Sequence, residues 1–412
     1  MRSRMLFGLV TVFAFGFLFA APVLAEGLTL GGTLTAGGEF LLDGGAVEEA
    51  GATLTLKLKG SLASSGAFES RLKIDGTGAI TLREAFLDLY LKNTDLRLGR
   101  QRIAWGTADG INPTDNLNPV DYTRPFAEDN RLEVTALRAR HYLGDWTAEF
   151  VWLPVFVPAA QPEPGSRWAV PVSLPALPPG LTLHEITVMP TEMPEETLEN
   201  SEFAVKLGRT GGKVDFSVSY FSGWDDLPSV HAAFVAHEGD PTTIDLILTP
   251  IHHRLRVLGA DFATTSGKWG FRGEAAYFMT EDDERMDPSI KNPYLQAVLG
   301  ADWTPNDRYY FNGQVVAEYV SDSTGTPEGD EGTAWGLMLA AEYKPRPELT
   351  LGLDAAYNVT DGDYFLRPRV SYSPADGVTV SAGCYLFEGS AGTMFGNYAA
   401  RDYFYAEVEM AF

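Results

Sequence analysis

The chain of 412 residues contains one cysteine, Cys384, and six histidines. A lone cysteine forms no internal disulfide, so no covalent crosslink holds the fold together in an oxidising compartment. The histidines are scattered except for His252 and His253. Those two, adjacent on a strand, point to opposite faces and cannot share one metal. No GlyXaaSerXaaGly elbow, glycine-rich phosphate loop or local Ser, His and acid arrangement stands out. The expectation is therefore a protein that is not an enzyme, with no cofactor and no metal site. Basic residues are also scarce: 31 Lys and Arg stand against 55 Asp and Glu, a formal net charge of −24 at pH 7. That balance excludes nucleic acid as a partner.

Long apolar runs are missing too, with one exception at the start. Arg2 and Arg4 precede an apolar stretch from Met5 to Ala20, and Val23 to Ala25 supplies the small residues a signal peptidase reads. Residues 1–25 thus read as a secretory signal cleaved after Ala25, which takes the net charge of the remainder to −26 because Arg2 and Arg4 leave with it. Beyond it no other run of about 18 apolar residues occurs, which excludes spanning helices, since polar groups cannot be carried through hydrocarbon cheaply. What remains is a secreted soluble protein or a membrane barrel.

Alternation decides between them. In the last twelve residues, Arg401 to Phe412, one face carries Phe404, Ala406, Val408, Met410 and Phe412, and the other Tyr403, Tyr405, Glu407 and Glu409. Earlier, Leu54, Leu56 and Leu58 alternate with Thr53, Thr55, Lys57 and Lys59, and Phe68, Ser70, Leu72 and Ile74 with Glu69, Arg71, Lys73 and Asp75. Aliphatics on one side and charges on the other suit lipid outside and water inside. Such segments fall at 27–40, 50–62, 67–75, 80–92, 95–105, 131–143, 146–157, 201–210, 213–224, 251–264, 268–280, 293–304, 308–321, 333–344, 348–360, 364–374, 377–388 and 401–412.

Every second connection between these segments is tight and made of turn residues, for example Ser64 to Gly66, Gly144 and Asp145, Gly211 and Gly212, and Pro374 to Gly377. The others are mostly long. A soluble sandwich has no reason to place its long loops at one end, whereas outer-membrane barrels have short periplasmic turns and long extracellular loops. Residues 26–412 are accordingly expected to form an all-β, transmembrane antiparallel β-barrel of about eighteen strands, with sixteen as the other even count. The last strand should pair with the first near Leu28 to Leu34. The partners expected of such a protein are outer-membrane lipids, the barrel assembly machinery and small polar solutes.

The chemistry of a pore is sought where charge is unevenly shared. From Gly51 to Trp105 nine basic residues outnumber five acidic ones. Lys57, Lys59, Arg71, Lys73, Arg97, Arg100 and Arg102, extended by Arg138 and Arg140, form the expected basic wall. Arg100 and Arg102 would share the lipid face of Leu98 unless a bulge at Gly99 turned them inward. The connection that follows, residues 106–130, carries two Asn-Pro turns at Asn112 and Asn118 and is expected to fold into the barrel as a constriction loop. Its acids Asp109, Asp115, Asp121, Glu128 and Asp129 would oppose the basic wall and set up a transverse field. The alternative is that the arginines pair with strand acids and only stiffen the wall. The longest connection, residues 158–199, holds nine prolines and an acidic end. It is expected not to pair into a sheet and to act as an external lid or arm.

The block from Leu98 to Gly106, with Ile111 to Pro113 and Asn118 to Asp121 after it, resembles an uncharacterised family of bacterial outer-membrane proteins in the porin superfamily, distantly similar to alginate-export porins. The resemblance is specific over about thirty residues and architectural elsewhere. It implies eighteen strands and an arginine-rich lumen; the architecture is carried over and the ligand is not. The reading is an outer-membrane channel for passive diffusion of small polar or charged solutes. Its rivals are a substrate-specific or export channel for a carbohydrate or organic acid, and a plugged structural or adhesive surface barrel.

Overall fold

The computed structural model describes residues 26–412 apart from 128, 171–173, 176, 178, 241, 283–285 and 321–331. The expected signal, residues 1–25, and Glu128 of the expected constriction loop lie outside the described residues. In chain order the strands are β1 (Glu26–Leu41), β2 (Val47–Ser61), β3 (Gly66–Asp75), β4 (Ile80–Leu91), β5 (Thr94–Gln101), β6 (Val134–Leu143) and β7 (Trp146–Leu153). There follow β8 (Thr182–Val188), β9 (Glu202–Arg209), β10 (Asp215–Trp224), β11 (Ser229–Ala236), β12 (Thr243–Ile251), β13 (Arg254–Ser266) and β14 (Trp269–Thr280). The last are β15 (Tyr294–Asn306), β16 (Tyr309–Val320), β17 (Gly332–Arg346), β18 (Leu349–Asn358), β19 (Tyr364–Ala375), β20 (Val378–Glu388) and β21 (Tyr403–Ala411).

Eighteen of these make one antiparallel sheet that runs from β1 to β7, through β9 and β10, and from β13 to β21. It closes where β21 pairs with β1, from Thr33 opposite Ala411 to Leu41 opposite Tyr403. Each barrel strand matches one of the eighteen alternating segments. The seam lies further along β1 than Leu28 to Leu34, because β21 reaches back only to a pair of hydrogen bonds, 3.0 Å each, between Gly32 and Phe412. A closed barrel leaves no strand edge unpaired, which hydrocarbon would not tolerate.

The remaining three strands correct the expectation for the long connection. Thr182–Val188 does pair: β8 lies parallel to β12, and β12 pairs antiparallel with β11, in a separate sheet. The prolines of residues 158–199 cluster before and after this stretch, leaving LeuHisGluIleThrVal free to donate its amides. Alternation also sorts β12, whose Ile244, Leu246 and Leu248 are buried.

On the barrel's outer face the apolar side chains are exposed, among them Leu299, Val315, Leu337, Leu339, Leu351 and Leu353. At the tight-turn end an aromatic ladder runs from Trp269 to Trp303 (5.6 Å between rings), Phe311 (5.7 Å) and Tyr309 (6.3 Å), and on to Tyr343 (4.9 Å). At the other end Tyr277, Tyr319, Trp335 and Tyr357 are also exposed. From Tyr309 to Tyr319 on β16, ten steps of about 3.3 Å at a tilt of about 40° rise about 25 Å. That is the height of an apolar band set between two aromatic girdles.

The interior is not simply water-filled. Ile103, Trp105 and Leu117 pack with the inward residues Val134, Ala136, Val151, Ala204, Phe221, Leu255, Val257, Ala276 and Phe278 of β6 to β14 in one buried apolar cluster. A second, aromatic cluster joins Tyr385, Phe387 and Tyr403 of β20 and β21 to Phe395, with Phe126 and Trp168 packed against it.

Candidate functional site

Strand β5 ends at Gln101, four residues before the expected Trp105, because the chain turns inward there. Buried Gln101 donates its side-chain amide to the carbonyls of Ala136 (3.0 Å) and Gly99 (3.2 Å). The described residues between Arg102 and Glu133 then fold within the barrel. Its two Asn-Pro turns are staples. Asn118 Oδ1 accepts the Ile103 amide at 2.7 Å while its Nδ2 donates to the Leu132 carbonyl at 2.6 Å, tying the two ends of the loop together. Asn112 Nδ2 donates to the Ala108 carbonyl at 2.6 Å, and its own carbonyl accepts the Asp115 amide at 3.0 Å.

The loop crosses the lumen and docks on the opposite wall. Glu274 of β14 accepts the backbone amides of Thr107, Ala108 (2.6 Å) and Thr114 (3.3 Å), the Thr114 hydroxyl (2.9 Å) and Asn112 Nδ2 (3.3 Å). This buried carboxylate is satisfied by donors rather than by a cation, the arrangement that lets a charge sit in the interior. Gly106 is required at the contact: its φ is +90°, and a Cβ there would lie 2.5 Å from Glu274 Oε1. Asp109 completes the dock, taking Arg272 Nη1 at 2.9 Å and Asn312 Nδ2 at 3.0 Å, while the amide of Gln314 donates to its carbonyl at 2.7 Å.

The basic wall is divided. On β2 and β3, Glu69 lies 2.6 Å from Lys57, 3.4 Å from Lys59 and 3.6 Å from Arg71, and Arg71 also reaches Glu84 at 3.2 Å. Arg97 is clasped by Asp88 at 2.7 Å and stacks on Phe86 at 3.8 Å. Arg138 and Arg140 both bind Glu149, at 3.0 and 2.6 Å, and Trp105 Nε1 donates to that same carboxylate at 2.7 Å. These last three arginines belong to the wall itself.

No register shift occurs at Gly99, whose φ is +130° and where a Cβ would strike the Ala85 carbonyl. The irregularity lies one strand away, between Arg71 and Leu72, where β4 carries Arg83 as an extra residue. Arg83 binds Glu133 at 2.8 Å, and Arg100 reaches the same carboxylate at 3.7 Å and donates to the Arg83 carbonyl at 3.2 Å. Asp129 pairs with Arg102 and lies 3.6 Å from Arg83.

Between this wall and the loop lies a cavity of about 810 Å³. Its basic side chains are Lys57, Lys59, Arg71, Lys73, Arg83 and Arg124, and its acids are Asp121 and Asp129 alone. Among the described ion pairs none involves Lys73 or Arg124. Of the residues singled out in the sequence, Lys57, Lys59, Arg71, Lys73, Asp121 and Asp129 therefore meet in one place. Arg100 and Arg102 border it, and Arg97, Arg138 and Arg140 do not line it. Asp109 and Asp115 do not oppose the basic strands: Asp109 is spent on Arg272 across the lumen, and Asp115 accepts the Trp105 amide at 3.3 Å beneath the loop. Burial pushes the Asp115 carboxyl up to about 6, against the pull of Arg131 and Arg102.

Sequence reasoning missed Arg124, Glu133 and Glu274, and counted Arg83 among the nine basic residues from Gly51 to Trp105 without placing it in the wall. Arg83 takes its place only through the bulge, and Arg124 only through the loop's path. Glu274, on a strand of small and aromatic residues, stood out as a solitary inward acid, a signal that was there to read.

No curated protein matches the sequence. Among solved structures, a loop-deletion mutant of OmpT, an outer membrane protein of Vibrio cholerae, is similar at 10% identity, over 94% of this chain and 99% of that one, with a TM-score of 0.45. A mutant of the Rh. blastica porin is similar at 12% identity, over 94% and 100%, with a TM-score of 0.43. A family model matches residues 68–412, and the chain belongs to that family, described as "Protein of unknown function (DUF1302)".

Proposed function

We propose that the protein is an outer-membrane channel that passes small polar or charged solutes along the β1 to β4 side of its lumen and prefers anions there. The observation that carries this reading is the cavity with six basic side chains against two acids, in a chain whose overall charge is −24. A random share of this composition would be acidic. Each unbalanced charge about 4 Å from a passing ion in water contributes about 1 kcal/mol, so the wall biases flux several-fold and excludes neither sign. The aromatic girdles and the closed sheet support placement in a bilayer, and residues 1–25 support export to the outer membrane through a cleaved signal.

A second reading rests on the apolar cluster around Trp105: the inserted loop acts as a plug, and the barrel serves as a structural surface protein. Planar-bilayer recording of the purified protein separates the two. The channel reading expects discrete steps and, in a KCl gradient, a reversal potential of the sign given by anion preference. Silence at protein levels that insert other barrels would overturn it, and steps with cation preference would overturn the basic path.

A further inference from the structure

The sheet outside the barrel brings three metal-ligating groups together from two different connections. His184 lies on β8, in the connection between β7 and β9. His237 follows β11 and Asp245 lies on β12, both in the connection between β10 and β13. His184 Nδ1 is 2.8 Å from Asp245 Oδ1 and His237 Nδ1 is 3.0 Å from Oδ2. The two imidazole centroids are 3.9 Å apart, and the three ligand atoms all fall within 4.8 Å of one another.

The backbone is built to hold this arrangement. In the β8–β12 ladder Leu183 faces Ile244 and Glu185 faces Asp245, so His184 is the extra residue of a bulge. A bulge re-aims a side chain, and here it brings His184 to the carboxylate. His237 is fixed by its amide, which donates to the Thr243 carbonyl at 3.0 Å. The turn below it is closed by Asp240, which accepts from the Thr242 amide and the Thr243 hydroxyl at 2.9 and 2.8 Å.

We propose that His184, His237 and Asp245 form a site for a divalent transition ion of the zinc class, which clamps the β7–β9 connection to the β10–β13 connection outside the barrel. Ligand atoms around a tetrahedral zinc ion stand about 3.3 Å apart, so the two His–Asp contacts would open by a few tenths of an ångström, while the remaining separation, already within 4.8 Å, would close onto the ion. Two imidazoles and one carboxylate suit zinc or copper(II); magnesium and calcium prefer all-oxygen sets. Three protein ligands leave a fourth position for water, and binding releases any proton held on either Nδ1.

The test uses the full-length protein without a histidine tag, folded in detergent, and titrates zinc chloride calorimetrically at pH 7.5. One equivalent is expected to bind in the micromolar range or tighter. Asp245→Asn should weaken binding at least tenfold, and His184→Ala with His237→Ala should abolish it. His231→Ala should leave it unchanged, although His231 and His253 form the other close histidine pair. Zinc, but not magnesium, should also slow proteolysis of the 158–199 segment in the unaltered protein and not in the double variant. Heat-modifiable gel mobility reports that each variant still holds a folded barrel, since the site lies outside it. Absence of stoichiometric zinc binding, or equal binding in the unaltered protein and the double variant, overturns the proposal. So does loss of binding in His231→Ala in place of His184→Ala.

Discussion

The two halves of the lumen are built on opposite principles. Along β6 to β14 the loop is pressed against the wall: Trp105, Ile103 and Leu117 fill the space, Glu149 is answered by two arginines and Glu274 by five donors. Along β1 to β4 the same loop stands off, and the charges of the wall remain in a cavity, with Lys73 and Arg124 facing it and no ion pair to either among the described residues. The external connections differ in the same sense. Those over the basic sector, residues 42–46 and 76–79, are short, whereas those over the dry sector carry the separate sheet. One half holds the loop so that the other half can stay hydrated, because a buried charge must be neutralised whereas a hydrated one is free to act on solutes.

The sharpest way to break this division is to undo the dock. Glu274→Ala removes one acceptor from five donors, and leaving even two or three buried donors unpaired costs about 1–3 kcal/mol each. The loop should then leave the wall in most molecules. Limited proteolysis within 106–130 should accelerate more than tenfold, and single-channel conductance should rise. The barrel itself should stay folded, as read by heat-modifiable mobility. Unchanged conductance and protease resistance would mean that the apolar cluster alone holds the loop.

How much of this was legible beforehand follows the range of the interactions. Strands and turns are local: period-two alternation and residues such as Gly211 and Gly212 mark them, so all eighteen staves were readable, and the closing contact of the last strand with the first followed from reading them as a closed barrel. The dock is not local. Glu274 meets Thr107 across 167 positions, and no pattern near Thr107 names its partner. Of the separate sheet, β8 escaped because the prolines around it dominate the composition of that segment and hide seven strand residues among them, and β11 and β12 because they fall inside a single long connection between two staves. Arg100 illustrates a third kind of miss. A bulge was anticipated at Gly99, yet the β4–β5 register runs on there, and the extra residue, Arg83, is inserted on β4 against β3, a pairing that the alternation of β5 does not report.

The hydrated half is probed next, with a smaller effect. Lys73→Gln with Arg124→Gln removes the two cavity cations that have no ion-pair partner among the described residues, and at about 1 kcal/mol for each charge near a passing ion the chloride-to-potassium permeability ratio should fall several-fold. The same exchange at Arg138 should leave selectivity alone and instead destabilise the wall, since it strips Glu149 of a partner in a buried pair. High salt should erase the first effect and spare the second, because screening reaches hydrated charges and not buried ones. Equal shifts from both sites would dissolve the distinction between the two halves.

The smallest effect tests whether the dry half responds to pH. Asp115 lies under the loop with its carboxyl raised from 3.8 to about 6, burial outweighing the nearby Arg131 and Arg102. A group that binds its proton more tightly in the docked state stabilises that state when protonated. Its contribution is therefore fully present below pH 3.8 and is lost as pH rises through about 6. Docking should strengthen on passing from pH 7 to pH 5, with slower loop proteolysis and quieter channels. Asp115→Asn, neutral at every pH, should show the slow, quiet behaviour already at pH 7 and remove the difference between the two conditions. A pH response that persists in Asp115→Asn would assign the proton to another buried acid beside it, of which Asp226, held well above its ordinary range by burial, is the nearest in kind.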